Sequence, residues 1–159
     1  MTGPLTLDMV AGKMKEFGVS EQVRNNRIRI TTTPEKVHDT IRTVQAMFGF
    51  DRLITISAVD NTMTLELVYH LTGPHRMVVS IAVGLPRELP AIATVSDILP
   101  PAAIYERQIH DLFGIMFRGH PGLARIVLNE DWPDNEYPLR KDWKPNPDTF
   151  YGGIKGERS

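Results

Sequence analysis

The chain contains no cysteine, so disulfides, thiolate zinc sites and cysteine-ligated iron–sulfur clusters are all excluded. Electrons passing nearby must be carried by another polypeptide. Long apolar runs are missing too: no stretch approaches the ~20 residues that span a bilayer. The opening MTGPLTLDMV has no basic start followed by an apolar core. The expected location is therefore cytoplasmic, with membrane contact only through partners. Neither a GxGxxG nor a P-loop pattern occurs to cradle a nucleotide phosphate, and there is no GxSxG nucleophile. Charge of one sign is not concentrated anywhere: 18 basic and 19 acidic residues are interspersed, for a net charge of -1. That leaves neither the basic stripe of a nucleic-acid binder nor a basic amphipathic helix for a lipid surface.

What is present suits one globular domain. At 159 residues, 42% hydrophobic and 23% charged, the chain is able to bury a sizeable core and is not of disordered composition. Residues 6–17 place Leu7, Val10, Ala11, Met14 and Phe17 at helical spacing, with Thr6 as N-cap and Gly18 as stop. Two short strands, 22–24 and 27–33, are joined by Asn25-Asn26, a pair that tolerates the geometry of a tight hairpin. Thr33 and Pro34 open a second helix to about Phe48, with Gly49 at its end. The period then switches to two, and 53–59, 62–71 and 76–83 read as an antiparallel meander. A proline-rich connector, 84–101, holds a short helix at 94–99. A further helix at 102–113 follows, stopped by Gly114. Prolines 133, 138, 145 and 147 then exclude regular structure, so an extended arm is expected.

The chemistry-bearing residues are few. His38 reads as a boundary histidine. His70 and His75 flank one turn, but two histidines make an incomplete metal site, so satisfied strand-end roles are expected. On the helix 102–113, Glu106 with His110 and Arg107 with Asp111 stand four apart. Such pairs share a face and read as surface ion pairs worth about 0.2–0.5 kcal/mol. Phe113, Phe117, Trp132, Tyr137 and Trp143 alternate with Arg107, Arg118, Arg125 and Arg140. Aromatic and arginine enrichment is the composition of an interface core, although about half of these aromatics are expected to close the local core.

One stretch carries more than composition. ERQIHDLFGIMFRGHPGLARIVLNEDW, closing with PLRKDW, resembles the signature of the 30 kDa subunit family of respiratory complex I, the C subunit of bacterial NADH:quinone oxidoreductase. The same module occurs in membrane-bound, energy-converting nickel–iron hydrogenases, including formate hydrogenlyase. Glu106, Arg107, Asp111, Phe113, Gly114, Gly119, His120, Pro121, Arg125, Pro138, Leu139, Arg140, Lys141 and Asp142 all stand at signature positions. Gln108, Gly122 and Ala124 depart from it, removing charge from the presumed docking face.

From the pattern of elements the expected fold is a two-layer α+β domain, with helices on one face of a mixed, mostly antiparallel sheet of about five strands, then a helix and an extended C-terminal arm. The α+β part occupies 1–100, the signature helix and docking arm 101–151 of the same unit, and a disordered tail 152–159. The resemblance implies a subunit with no catalytic residue, metal or cofactor of its own. It would dock onto a large subunit of the 49 kDa or hydrogenase type, and onto other peripheral-arm subunits, on the cytoplasmic face of the membrane. Quinone, iron–sulfur clusters or a nickel–iron centre would belong to those partners. No nucleic acid and no small-molecule substrate is expected. The alternatives are the equivalent hydrogenase or formate hydrogenlyase subunit, and a small stand-alone metal-dependent enzyme using Glu106, His110 and His120.

Overall fold

In the computed structural model residues 4–145 are described; the expected tail 152–159 and Pro147 lie outside them. Helix α1 (Leu7–Met14) begins where Thr6 Oγ1 accepts the Met9 N–H at 3.4 Å, and it buries Val10 and Met14. It ends short of the expected Phe17 in a turn over residues 15–17, closed by the Phe17 N–H on the Met14 carbonyl at 2.9 Å, and β1 (Gly18–Arg24) follows at once, longer than its alternation suggested. Asn25 and Asn26 turn β1 into β2 (Arg27–Thr32), antiparallel to it.

Helix α2 (Val37–Phe48) starts three residues after Pro34, the intervening residues forming a turn. Val37, Ile41 and Val44 are fully buried along one stripe, each contributing about 1.5–3 kcal/mol. Gly49 ends the helix at φ 74°, with its N–H on the Gln45 carbonyl and the Phe50 N–H on that of Val44. That is the left-handed cap for which glycine has no steric penalty.

The crossover through α2 decides the topology. It delivers β3 (Arg52–Asp60) to the far edge, and β4 (Thr64–Thr72) and β5 (Val78–Pro86) then return as the expected meander. β5 therefore lands beside β2 and pairs with it in parallel, giving the order β1-β2-β5-β4-β3. One face of this sheet carries Ile30, Ile81, Tyr69 and Ile56 in consecutive register, and these join the core beneath the helices. The other face carries Arg29, Ser80, His70 and Thr55. Val68 and Ala82 on that face are buried by their neighbours, yet neither belongs to the helix-covered core.

After β5, a three-residue strand β6 (Ala91–Ala93) runs where a connector was expected, and 94–99 form turns instead of a helix. The reason is non-local: β6 pairs in parallel with β7 (Met116–Arg118), which lies beyond the signature helix α3 (Ala102–Phe113). From 119 to 145 the described chain has neither helix nor strand. It is not extended away from the domain, however. Successive turns fold it back along α3, with Leu139 N–H on the Leu112 carbonyl at 3.1 Å.

Candidate functional site

Helix α3 is the frame for the signature residues, and their side chains point to unexpected places. Glu106 is fully buried. Its carboxylate accepts the Thr94 hydroxyl at 2.5 Å and the Val95 N–H at 2.9 Å. Burial raises its pKa above the usual carboxylate range, opposed by those two donors. Tyr69 Oη lies within the core with no hydrogen-bond partner among the described residues, and burial together with the charge of Glu106 pushes that phenol upward. Glu106 therefore makes no surface pair with His110, whose Nδ1 bonds the Ile115 carbonyl at 2.8 Å.

The second expected pair is absent too, since Arg107 and Asp111 both bind backbone. Arg107 donates to the carbonyls of Ala124 and Arg125, each at 3.0 Å. Asp111, 4% exposed, accepts the N–H groups of Ile126, Val127 and Leu128 on one oxygen, at 2.8, 2.9 and 3.2 Å. Periodicity identified the helix face correctly, but its charged groups pin a strap of chain along the helix.

His120 anchors the start of that strap. Its Nδ1 accepts the Gly122 N–H and its Nε2 donates to the Ala103 carbonyl, both at 2.9 Å, which fixes the neutral tautomer. Nε2 stands 4.0 Å from Glu106 Oε2. A metal ligand needs a free imidazole lone pair, and at His120 the Gly122 N–H occupies it. Among the described residues no group of three acidic or histidine side chains is arranged to hold a metal. His70 bonds the Ser80 and Ser57 hydroxyls at 2.9 and 3.2 Å, while the His75 ring lies 6.1 Å from that of Phe50. His38 meets Asp97 at 2.8 Å.

Gly119 takes φ 82° just before His120, and Pro121 is exposed beyond it. Arg125 closes the middle of the strap on the carbonyls of Asn129 and Glu130 and on Asp134, 3.0 Å away. Trp132 and Trp143 pack at 5.8 Å, while Phe113 and Phe117 enter the core. Gly114, at φ 78°, has the Tyr137 ring where a Cβ would sit, 2.5 Å away. Pro138 is half-buried and Leu139 exposed. Arg140 lies over the Tyr137 ring and donates to the Phe113 carbonyl at 2.7 Å.

The last anchor uses residues whose sequence context gave no signal. Asp60, which lies between two of the strands expected from sequence, is 3% exposed and accepts the N–H groups of Thr62 and Lys141, both at 2.8 Å. It also pairs with Arg87, which bonds Asp142 at 2.7 Å. Burial works to raise the Asp60 carboxyl, but these donors outweigh it and hold it at about 2. The Lys141 side chain itself is exposed. The PLRKD run is thereby tied to the end of β3.

A helix-covered mixed sheet with a strap pinned along its last helix is an α+β module of the type found in multi-subunit respiratory complexes. The chain belongs to the family of the respiratory-chain NADH dehydrogenase 30 kDa subunit, whose model matches residues 30–149. It is 34% identical to the C subunit of the F420H2 dehydrogenase of Methanosarcina mazei, over 84% of each chain. It is 30% identical to the C subunit of the NADH-quinone oxidoreductase of Roseobacter denitrificans, over 92% of this chain and 73% of that one. Among solved structures it resembles a chain of the membrane-bound sulfane sulfur reductase, an archaeal respiratory membrane complex. That likeness has a TM-score of 0.70 at 29% identity, over 86% of this chain and 84% of the other. It also resembles the trypsin-resistant fragment of Nqo5, with a TM-score of 0.62 at 27% identity, over 74% of this chain and 96% of the fragment. Among the described residues no helix is long and apolar enough to cross a membrane.

Proposed function

We propose that this chain is a non-catalytic subunit of a membrane-bound, complex I-like respiratory oxidoreductase. It sits in the peripheral arm on the cytoplasmic face, docked on the large subunit through the strap along α3. One observation carries this reading. Arg107, Asp111, Arg125 and Arg140 are spent on the chain's own backbone, and the strap they fix displays Ile126, Val127 and Leu139 at 40%, 49% and 51% exposure. Apolar side chains held on a pre-ordered backbone lose little entropy on docking. The signature charges thus build the platform, and the apolar residues make the contact. Electron carriers and quinone belong to the partner subunits, and the chain supports electron transfer and coupled ion movement by holding them in place.

A second reading concerns the branch. The likenesses to an F420H2 dehydrogenase subunit and to a chain of an archaeal sulfane sulfur reductase favour an archaeal-type complex whose donor or acceptor differs from NADH and quinone. The hydrogenase-type complex belongs to the same group of alternatives. Affinity purification of the tagged chain from detergent-solubilised native membranes tests the main reading. The large subunit and its dehydrogenase activity should co-elute, and Val127→Asp with Leu139→Asp should cut that recovery about tenfold while leaving the fold intact. Recovery of both at the level of the unaltered chain would count against the strap.

A further inference from the structure

The strap occupies one side of the domain, and the uncovered face of the five-stranded sheet is a separate surface. Strand register puts Arg24, Arg27, Val78, Thr72 and Arg52 in a single row across that face. Neighbouring strands lie about 4.8 Å apart, so the row from Arg24 on β1 to Arg52 on β3 spans about 19 Å. Beyond it come Arg29, Ser80 and His70, and then Ala82 and Val68. The two acidic residues on the face, Glu21 and Glu66, both pair with Arg29, at 3.8 and 2.9 Å. Arg24, Arg27 and Arg52 have no carboxylate within ion-pair distance among the described residues. The turn at the same end adds Arg76, a non-glycine residue at φ 53°. His70, between the Ser57 and Ser80 hydroxyls, is shifted downward by burial and then by the charges of Arg27 and Arg29.

We propose that the uncovered sheet face, with its row of Arg24, Arg27 and Arg52, is a second docking surface that takes an acidic helix of another subunit of the same complex. The inference rests on the assembly role proposed above. Three considerations select that occupant. Arginine forks match carboxylates in two-pronged geometry, and the row carries three of them, uncompensated, on a chain of net charge -1. The floor beside the row is shallow and small-sided: Ala82, Ser80, Ser57 and an exposed Gly84 leave room for a helix to lie across the strands, parallel to the row. Val19 and Val59, 73% and 44% exposed, give its apolar stripe something to cover. A lipid surface is less well matched, since a flat sheet has no apolar side to sink below headgroups.

The test compares arginine modification by phenylglyoxal in the free chain and in the purified native complex, read by mass spectrometry. Arg27 and Arg52 should be modified at least about tenfold more slowly in the complex. R27E/R52E should lower recovery of one subunit about tenfold, and charge reversal of the acidic segment cross-linked to Thr55 should restore it. Equal modification of Arg27 and Arg52 in the free and assembled chain would overturn this inference while leaving the assembly role intact. A chain that never enters a complex would defeat both. Binding of the full chain to phosphatidylglycerol vesicles, lost in R27E/R52E, would assign the face to lipid and likewise overturn it.

Discussion

Removing the carboxylate of Asp111 should release the strap from α3 without unfolding the sheet. One oxygen accepts three backbone N–H groups, from Ile126, Val127 and Leu128. A hydrogen bond to a charged group contributes about 1.5–3 kcal/mol net. The three do not add, because they share one acceptor, and Ile126 and Val127 lie where water can replace it. Asp111→Ala should therefore cost about 3 kcal/mol, and Asp111→Asn, which keeps an oxygen and loses the charge, about 1 kcal/mol. Because the sheet does not depend on these bonds, the loss should appear as local opening. By hydrogen exchange of the isolated chain, amides 126–128 should exchange about 100-fold faster in Asp111→Ala and about fivefold faster in Asp111→Asn, while β4 and β5 keep their protection. Exchange at 126–128 within about threefold of the unaltered chain would refute the claim that Asp111 holds the strap.

Two carboxylates should give opposite pH responses. Glu106 has a pKa raised by burial, so its protonated form is favoured in the fold, and stability should fall as pH rises past the ordinary value of 4.5. Glu106→Gln should flatten that part of a denaturant-midpoint profile. Asp60 is depressed from 3.8 to about 2, so its contribution is present above the ordinary value and lost as pH falls through about 2. Asp60→Asn should remove that acid limb, seen in acid unfolding followed by circular dichroism. Gly114→Ala combines a left-handed φ with a clash on the Tyr137 ring and should cost about 2–3 kcal/mol in chemical denaturation. In a Tyr137→Ala background only the backbone cost of about 1 kcal/mol should remain.

The parts of the fold that were legible in sequence are those set by neighbours along the chain. Thr6, Gly49 and Gly114 mark helix ends by local geometry, and Asn25-Asn26 marks the hairpin. Alternation located the meander to within a few residues. What escaped depends on distant partners. The strand β6 exists because β7 pairs with it across α3, so no local period announces it and 94–99 looked helical. Spacing of four placed Glu106 and His110 on one face of α3 but carried no information on depth; Thr94 and Val95 make it a buried site. Prolines correctly excluded regular structure over the described residues 133–145, yet the folding back of this segment depends on Asp60, 81 residues before Lys141. The signature itself was the most legible feature, and the structure gives its charges an internal use that an exposed-surface reading did not anticipate.

The most direct measurement is a site-specific cross-link from the strap in the assembled state. A photoreactive side chain placed at Val127, in chain expressed in its native host, should join the large subunit and abolish its separation from this chain under denaturing conditions. Cross-links confined to the chain itself, from a protein that elutes from native membranes alone, would contradict the account.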